Sequence, residues 1–165
     1  MAQARFAEIL GRLAAGEVDF VVVGMTAGIL HGVPITTLDL DIVHARAPDN
    51  VVRLLRVLHA LDATYRHDAR RLRPQESHLT GAGHQLLTTS LGDLDCLGTI
   101  AGDRGYEDLL PDTVELDLAE GAQVRVLSLP ALIAAKERTA RPKDLAVLPV
   151  LRATLDELNR HASET

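Results

Sequence analysis

The chain has 165 residues, 47% of them hydrophobic and 24% charged, with a formal net charge of −6, a profile that fits a folded globular protein and excludes a disordered or collagen-like one. The acidic balance argues against a domain that coats DNA non-specifically through surplus Lys and Arg, and two Phe, two Tyr and no Trp are too few rings for a single-strand stacking platform. One cysteine, Cys96, excludes an internal disulfide and fits a reducing compartment.

The amino terminus is itself amphipathic, with no basic region leading into a long apolar run, so no secretory signal is expected. No stretch approaches the ~20 apolar residues of a membrane span, and a cytoplasmic location without a membrane partner is expected. Residues 2–15 set Phe6, Ile9, Leu10 and Leu13 at helical spacing and stop at Gly16. Residues 19–23 predict a short buried strand that stops at Gly24, followed by a helical turn over 26–31. Alternation then predicts a strand over 37–43, with Leu38, Leu40 and Ile42 on one face and Thr37, Asp39, Asp41 and Val43 on the other. Pro48 and Asp49 open a helix expected to turn Val52, Leu55, Leu58 and Leu61 inward.

Residues 64–83 read as polar and irregular, with Arg66, Arg70, Arg71 and Arg73 in one stretch. Strands are expected over 84–89 and 91–97 about a bend at Ser90, and a hairpin over 114–127 about Glu120 and Gly121. Helices over 130–138 and from Pro142 onward finish the chain, with Pro149 expected to kink or restart the last. Hairpins together with helix crossovers predict one α/β (α+β) domain over 1–165, a mixed sheet flanked by helices, with 129–165 as closing helices.

Chemistry concentrates on two of these strands. Asp39 and Asp41 at i and i+2 share a strand face ~6–7 Å apart, suited to a hard cation between them, or to a face turned to water. Asp93 and Asp95 repeat the pattern on a second strand. Asp is depleted in strands, and carboxylates brought together repel unless a cation neutralises them, so a shared Mg²⁺ site accounts for both pairs. The arginines between 66 and 73 suit bidentate contacts to a triphosphate or an RNA acceptor end, or form a solvated loop face. Asp144 sits in the first turn of a helix, where a carboxylate favours the dipole. His31 is expected to pack or cap at its turn, His67, His78 and His84 lack metal-like spacing, and Cys96 reads as a small buried hydrophobe.

The order Gly24, His31-Gly32, Thr37, Asp39-Leu40-Asp41, Gly92-Asp93-Leu94-Asp95, Lys136 and Arg141-Pro142-Lys143-Asp144 resembles the minimal nucleotidyltransferases of the polymerase-beta-like superfamily. It is most similar to their AbiEii-type toxin branch and its bacterial relatives. The resemblance implies the nucleotidyltransferase fold, with nucleotide phosphates held at Gly24 and the amides of Met25 and Thr26, and with Thr37 and Lys136 as further nucleotide contacts. It implies Asp39, Asp41 and Asp95 as catalytic ligands of two Mg²⁺, with Mn²⁺ as an alternative, and Asp95 activating the acceptor hydroxyl. Asp95 is favoured over Asp93 because, like the family's third Asp, it precedes a hydrophobic pair, here Cys96-Leu97. Two positions depart from the family pattern. Met25 stands where a small residue is usual, and Ile35 stands where many relatives carry Arg.

The leading expectation is a Mg²⁺-dependent enzyme moving a nucleoside monophosphate from a triphosphate such as ATP to a hydroxyl of RNA, protein or a small molecule. The resemblance adds a toxin–antitoxin role with a cognate antitoxin. A catalytically lapsed nucleotide- or partner-binding module, favoured by Met25 and Ile35, and an α/β domain whose acidic strands merely face water are the competing expectations.

Overall fold

The computed structural model describes residues 2–165, and the side chains of all of these except 2–4 and 120. Met1, the first residue of the amino-terminal segment read above, lies outside the described residues. Seven strands form one mixed sheet: β1 (Phe20–Val23), β2 (Asp39–His44), β3 (Thr64–Tyr65), β4 (His84–Thr89), β5 (Gly92–Leu97), β6 (Thr113–Asp117) and β7 (Gln123–Leu127), in the order β3-β4-β5-β2-β1-β7-β6. The flanking helices are α1 (Ala2–Ala15), α2 (Gly24–Leu30), α3 (Pro48–Ala60), α4 (Glu76–Leu79), α5 (Tyr106–Leu109), α6 (Leu129–Thr139) and α7 (Pro142–Ser163). β1 runs parallel to β7 and antiparallel to β2, and β2 runs parallel to β5. None of the described helices is long and apolar enough to cross a membrane.

β1 is buried along its whole length, which suits the unbroken Phe-Val-Val-Val run of a strand paired on both edges. β2 keeps the expected alternation from Asp39 onward, with Leu40 and Ile42 fully buried and both aspartates half-buried. It begins two residues later than the alternation suggests. The hydroxyls of Thr26 and Thr37 both donate to the Asp39 carbonyl and fix the chain at its entry, so Leu38 lies outside the ladder and is 80% exposed.

α3 starts at Pro48 as expected, but its inward face differs. Val51, Leu54, Val57 and Leu58 are buried, whereas Val52 is exposed and Leu55 only partly covered. The reason is Asn50, itself buried, whose side chain accepts from Asp19 N and donates to the carbonyls of Asp19 and Ala45. Turning that amide inward to serve three backbone groups sets the rotation of the helix. Within 64–83, β3 and α4 emerge. β3 pairs Thr64 with Thr88 and Tyr65 with Leu87, too short a run for periodicity to reveal.

The β6–β7 hairpin forms as expected, and Pro149 neither ends nor restarts α7, which continues through it. Pro149 offers no N–H to the carbonyl of Leu145, a residue at the exposed surface. Truncating Asn50 to Ala leaves Asp19 N and the Ala45 carbonyl without their partner, while the Asp19 carbonyl keeps the Ala45 amide, so Asn50→Ala is expected to destabilise the fold by about 2 kcal/mol, measurable by urea denaturation.

Candidate active site

β2 and β5 are paired in parallel register, Asp39 opposite Asp93 and Asp41 opposite Asp95. Neighbouring strands lie about 4.8 Å apart, so like-facing side chains on them meet. Carboxylate oxygens of Asp39, Asp41 and Asp95 all come within 4.8 Å of one another. Above them β1 ends at Val23, opposite Asp41, and the chain turns through Gly24 at φ +63°. A Cβ at that position would overlap Asp41 Oδ2, so glycine is required both by the left-handed backbone and by the approach to the carboxylate.

Burial, followed by the charges of Asp95 and Asp39, pushes the Asp41 carboxyl up to about 7. Asp95, one of the few buried charged residues, is also raised, by burial first, against the opposing pull of Arg66. Asp41 Oδ1 is buried and has no hydrogen-bond partner. Converging hard oxygens, one of them orphaned, are a donor set that fits a divalent cation of the Mg²⁺ type.

Arg66, one residue beyond β3, reaches into this cluster. Its Nη2 donates to Asp95 Oδ1 and to the Leu87 carbonyl, its Nε lies 3.2 Å from Asp93 Oδ2 without hydrogen-bond alignment, and its Nη1 lies 4.0 Å from Asp39 Oδ2.

The acidic cluster forms one wall of a cleft of about 650 Å³. The opposite wall is basic, with Lys136 and Thr139 from α6 and Arg141 and Lys143 at the start of α7, and Leu86, Leu97, Leu127 and Leu132 supply apolar surface. Lys136 and Arg141 are held by Asp144, which is completely buried. Burial alone would raise the Asp144 carboxyl. Hydrogen bonds donated by Arg141, Thr139 and Lys136 reverse this and hold it below the usual carboxylate range.

Of the residues singled out from the sequence, Gly24, Asp39, Asp41, Asp95, Lys136 and Arg66 line this one cleft. Met25 is partly buried against the core, and Thr26 and Thr37 act on the backbone of Asp39; none of the three lines the cleft. Arg70 pairs with Asp68 and Arg73 with Asp62 on the exposed loop, Arg71 is exposed there too, and the structure brings none of them to the cleft. The sequence reading did not assign Arg141, Lys143 or His84 to the site. The signal for the first two was present, since two cations flank Pro142 just before a helix, whereas His84 enters only through its strand register. His31 packs at its turn as expected, its Nε2 bonded to the Leu127 carbonyl at 2.8 Å.

The same architecture occurs in a candidate nucleotidyltransferase from Thermotoga maritima, with a TM-score of 0.51 and 18% identity over 91% of this chain and 89% of that one. It occurs again in the solution structure of the antibiotic-resistance factor ANT(2'')-Ia, with a TM-score of 0.58 and 14% identity over 98% of this chain and 97% of that one. The chain has the nucleotidyltransferase fold. At these identities the likeness is one of fold. No family model and no curated protein sequence matches the chain.

The unfolded chain releases the Asp41 proton near the ordinary value of 3.8, whereas the folded chain keeps it to about 7. Between these values the folded state binds the extra proton, so the stability contributed by this group falls as pH rises through the window. In chelator-containing buffer, Asp41→Asn is therefore expected to melt close to the parent below about pH 4 and increasingly above it up to about pH 7, where the difference levels off, read by thermal denaturation.

Proposed function

We propose that the protein is a Mg²⁺-dependent nucleotidyltransferase that moves a nucleoside monophosphate from a nucleoside triphosphate to an acceptor hydroxyl and releases pyrophosphate. One observation carries the reading: three converging carboxylates face Lys136, Arg141 and Lys143 across a single cleft, with a glycine turn beside them. Anionic phosphates and the cation that accompanies them fit between two such walls. The lapsed-module alternative rested on Met25 and Ile35. Both are partly buried against the core and neither lines the cleft, while all three carboxylates are in place.

Asp39, Asp41 and Asp95 would hold Mg²⁺, or Mn²⁺ in its place, which when bound polarises the transferring phosphoryl group and offsets its charge. Lys136 and Arg141, fixed by Asp144, and Lys143 bind the β- and γ-phosphates and stabilise the departing pyrophosphate. Gly24 lets the backbone pass close beside Asp41, where the amides of Met25 and Thr26 would meet the phosphate chain. The acceptor oxygen attacks the α-phosphorus as the bond to the bridging oxygen of the β-phosphate breaks, and the hydroxyl proton passes to Asp95. The acceptor is an RNA, protein or small-molecule hydroxyl, and the exposed loop bearing Arg70, Arg71 and Arg73 is the surface it would meet outside the cleft. The toxin role with a cognate antitoxin is a narrower form of the same proposal and rests on the sequence resemblance. A triphosphate donor and a lone buried Cys96 suit a cytoplasmic location, and residues 1–165 work as one unit whose segment 129–165 closes the basic wall.

Incubation with each α-labelled triphosphate and Mg²⁺ in cell extract is expected to label one acceptor class and release pyrophosphate. Loss of even an outer-shell partner of a metal ligand costs about 10–100-fold, so Asp41→Asn, which alters a ligand itself, is expected to lower transfer about 100-fold or more. Undiminished labelling by that variant, or no pyrophosphate from any triphosphate, would overturn the proposal.

A further inference from the structure

We infer that Arg66 is a built-in competitor for the divalent cation, so that the acidic site binds the cation tightly only once the phosphates of a nucleotide draw the guanidinium away. The inference rests on the proposed function above and concerns the order in which that site fills.

The guanidinium is wedged among carboxylates of both strands. It donates to Asp95 Oδ1, stands 3.2 Å from Asp93 Oδ2 and 4.0 Å from Asp39 Oδ2, and its side chain is only 16% exposed. A guanidinium does not lose its proton in a protein, so this is a permanent positive charge. A cation bridging Asp39 and Asp95 would stand beside it, and like charges that close repel strongly. Arg66 therefore does part of the neutralising that the cation would do, and does it incompletely: it does not reach Asp41, whose Oδ1 stays buried and unpartnered. Two groups hold the guanidinium in this position independently of the triad, the Leu87 carbonyl and Asp93.

Arg66 also lines the cleft that the phosphates would enter. A triphosphate arriving with its cation brings both halves of an exchange, a dication for the carboxylates and an anion for the guanidinium. Cation and nucleotide then bind with positive coupling, and Arg66 is the residue that transmits it. A purely structural Arg66, riveting the β3–β4 edge to β5, predicts no such coupling.

The test is titration of MnCl₂ by calorimetry and by electron paramagnetic resonance, on the full chain and on Arg66→Gln and Arg66→Lys, with and without a non-hydrolysable triphosphate. Melting curves in chelator check that each variant is folded. Without nucleotide, Arg66→Gln is expected to bind Mn²⁺ about 10-fold tighter than the parent, and Arg66→Lys, which keeps the charge but lacks the fork, to fall between. Adding the analogue is expected to tighten the parent more than Arg66→Gln, narrowing the gap. Equal or weaker Mn²⁺ affinity in Arg66→Gln, with transfer by the parent intact, overturns this inference alone. No Mn²⁺ binding by any of the three proteins, with or without the analogue, overturns the proposed function and this inference together.

Discussion

The parallel pairing of β2 with β5 places four carboxylates, those of Asp39, Asp41, Asp93 and Asp95, along two adjacent strands. Left to itself such an arrangement repels. It persists because the opposite faces of the same strands leave no alternative: Leu40, Ile42, Leu94 and Cys96 are fully buried. A slip of one residue in either strand would drive aspartates into that core and carry the apolar side chains to the cleft, an exchange far more costly than the repulsion. The hydrophobic effect on one face thus holds charges together on the other. Gly24 depends on the same constraint, because the turn after β1 is shaped by how near the Asp41 carboxylate stands.

Each wall of the cleft carries a counter-ion of the opposite sign. Arg66 sits within the acidic wall and Asp144 within the basic one. The two differ in how completely they do their work. Asp144 is surrounded by donors from Lys136, Thr139 and Arg141 and has no exposed surface, so α6 and α7 are locked by an anion with its hydrogen-bonding capacity filled. Arg66 leaves an oxygen of Asp41 without a partner and fails to align its Nε with Asp93. A saturated pair gives a fixed surface, whereas an unsaturated one has something to gain from an incoming charge. The basic wall is thereby held in one arrangement by Asp144, whereas the acidic wall keeps unmet hydrogen-bonding capacity.

Much of this was legible in the sequence because it depends on period and on spacing. The alternation through Asp39–His44 and Gly92–Leu97 fixed which aspartates share a face, and the glycine after a four-residue apolar strand marked the turn that meets them. What was not legible depends on contacts remote along the chain. The rotation of α3 follows from Asn50 answering Asp19 and Ala45, and nothing in the helix's own apolar pattern separates Val51 from Val52. Arg66 differs from Arg70, Arg71 and Arg73 only in standing next to a two-residue strand, and that strand exists only through its pairing with β4. Asp144 reads as a helix-dipole carboxylate until α6 is folded against α7.

The division between fold and chemistry in this chain is therefore spatial as well as energetic. Among the carboxylates of the acidic wall, Asp41, raised to about 7, opposes folding at neutral pH. Residues just behind them do the opposite. Thr26 and Thr37 spend their hydroxyls on one carbonyl, that of Asp39, and so tie the entry of β2 to α2 and to the preceding loop. A nucleotide contact by either hydroxyl would compete with that bond, and releasing it would loosen the strand that positions the first carboxylate. The geometry at Asp39 thus makes the hydroxyls of the two threonines supports for the acidic wall, and ties the position of the first carboxylate to α2 and the loop that precedes β2.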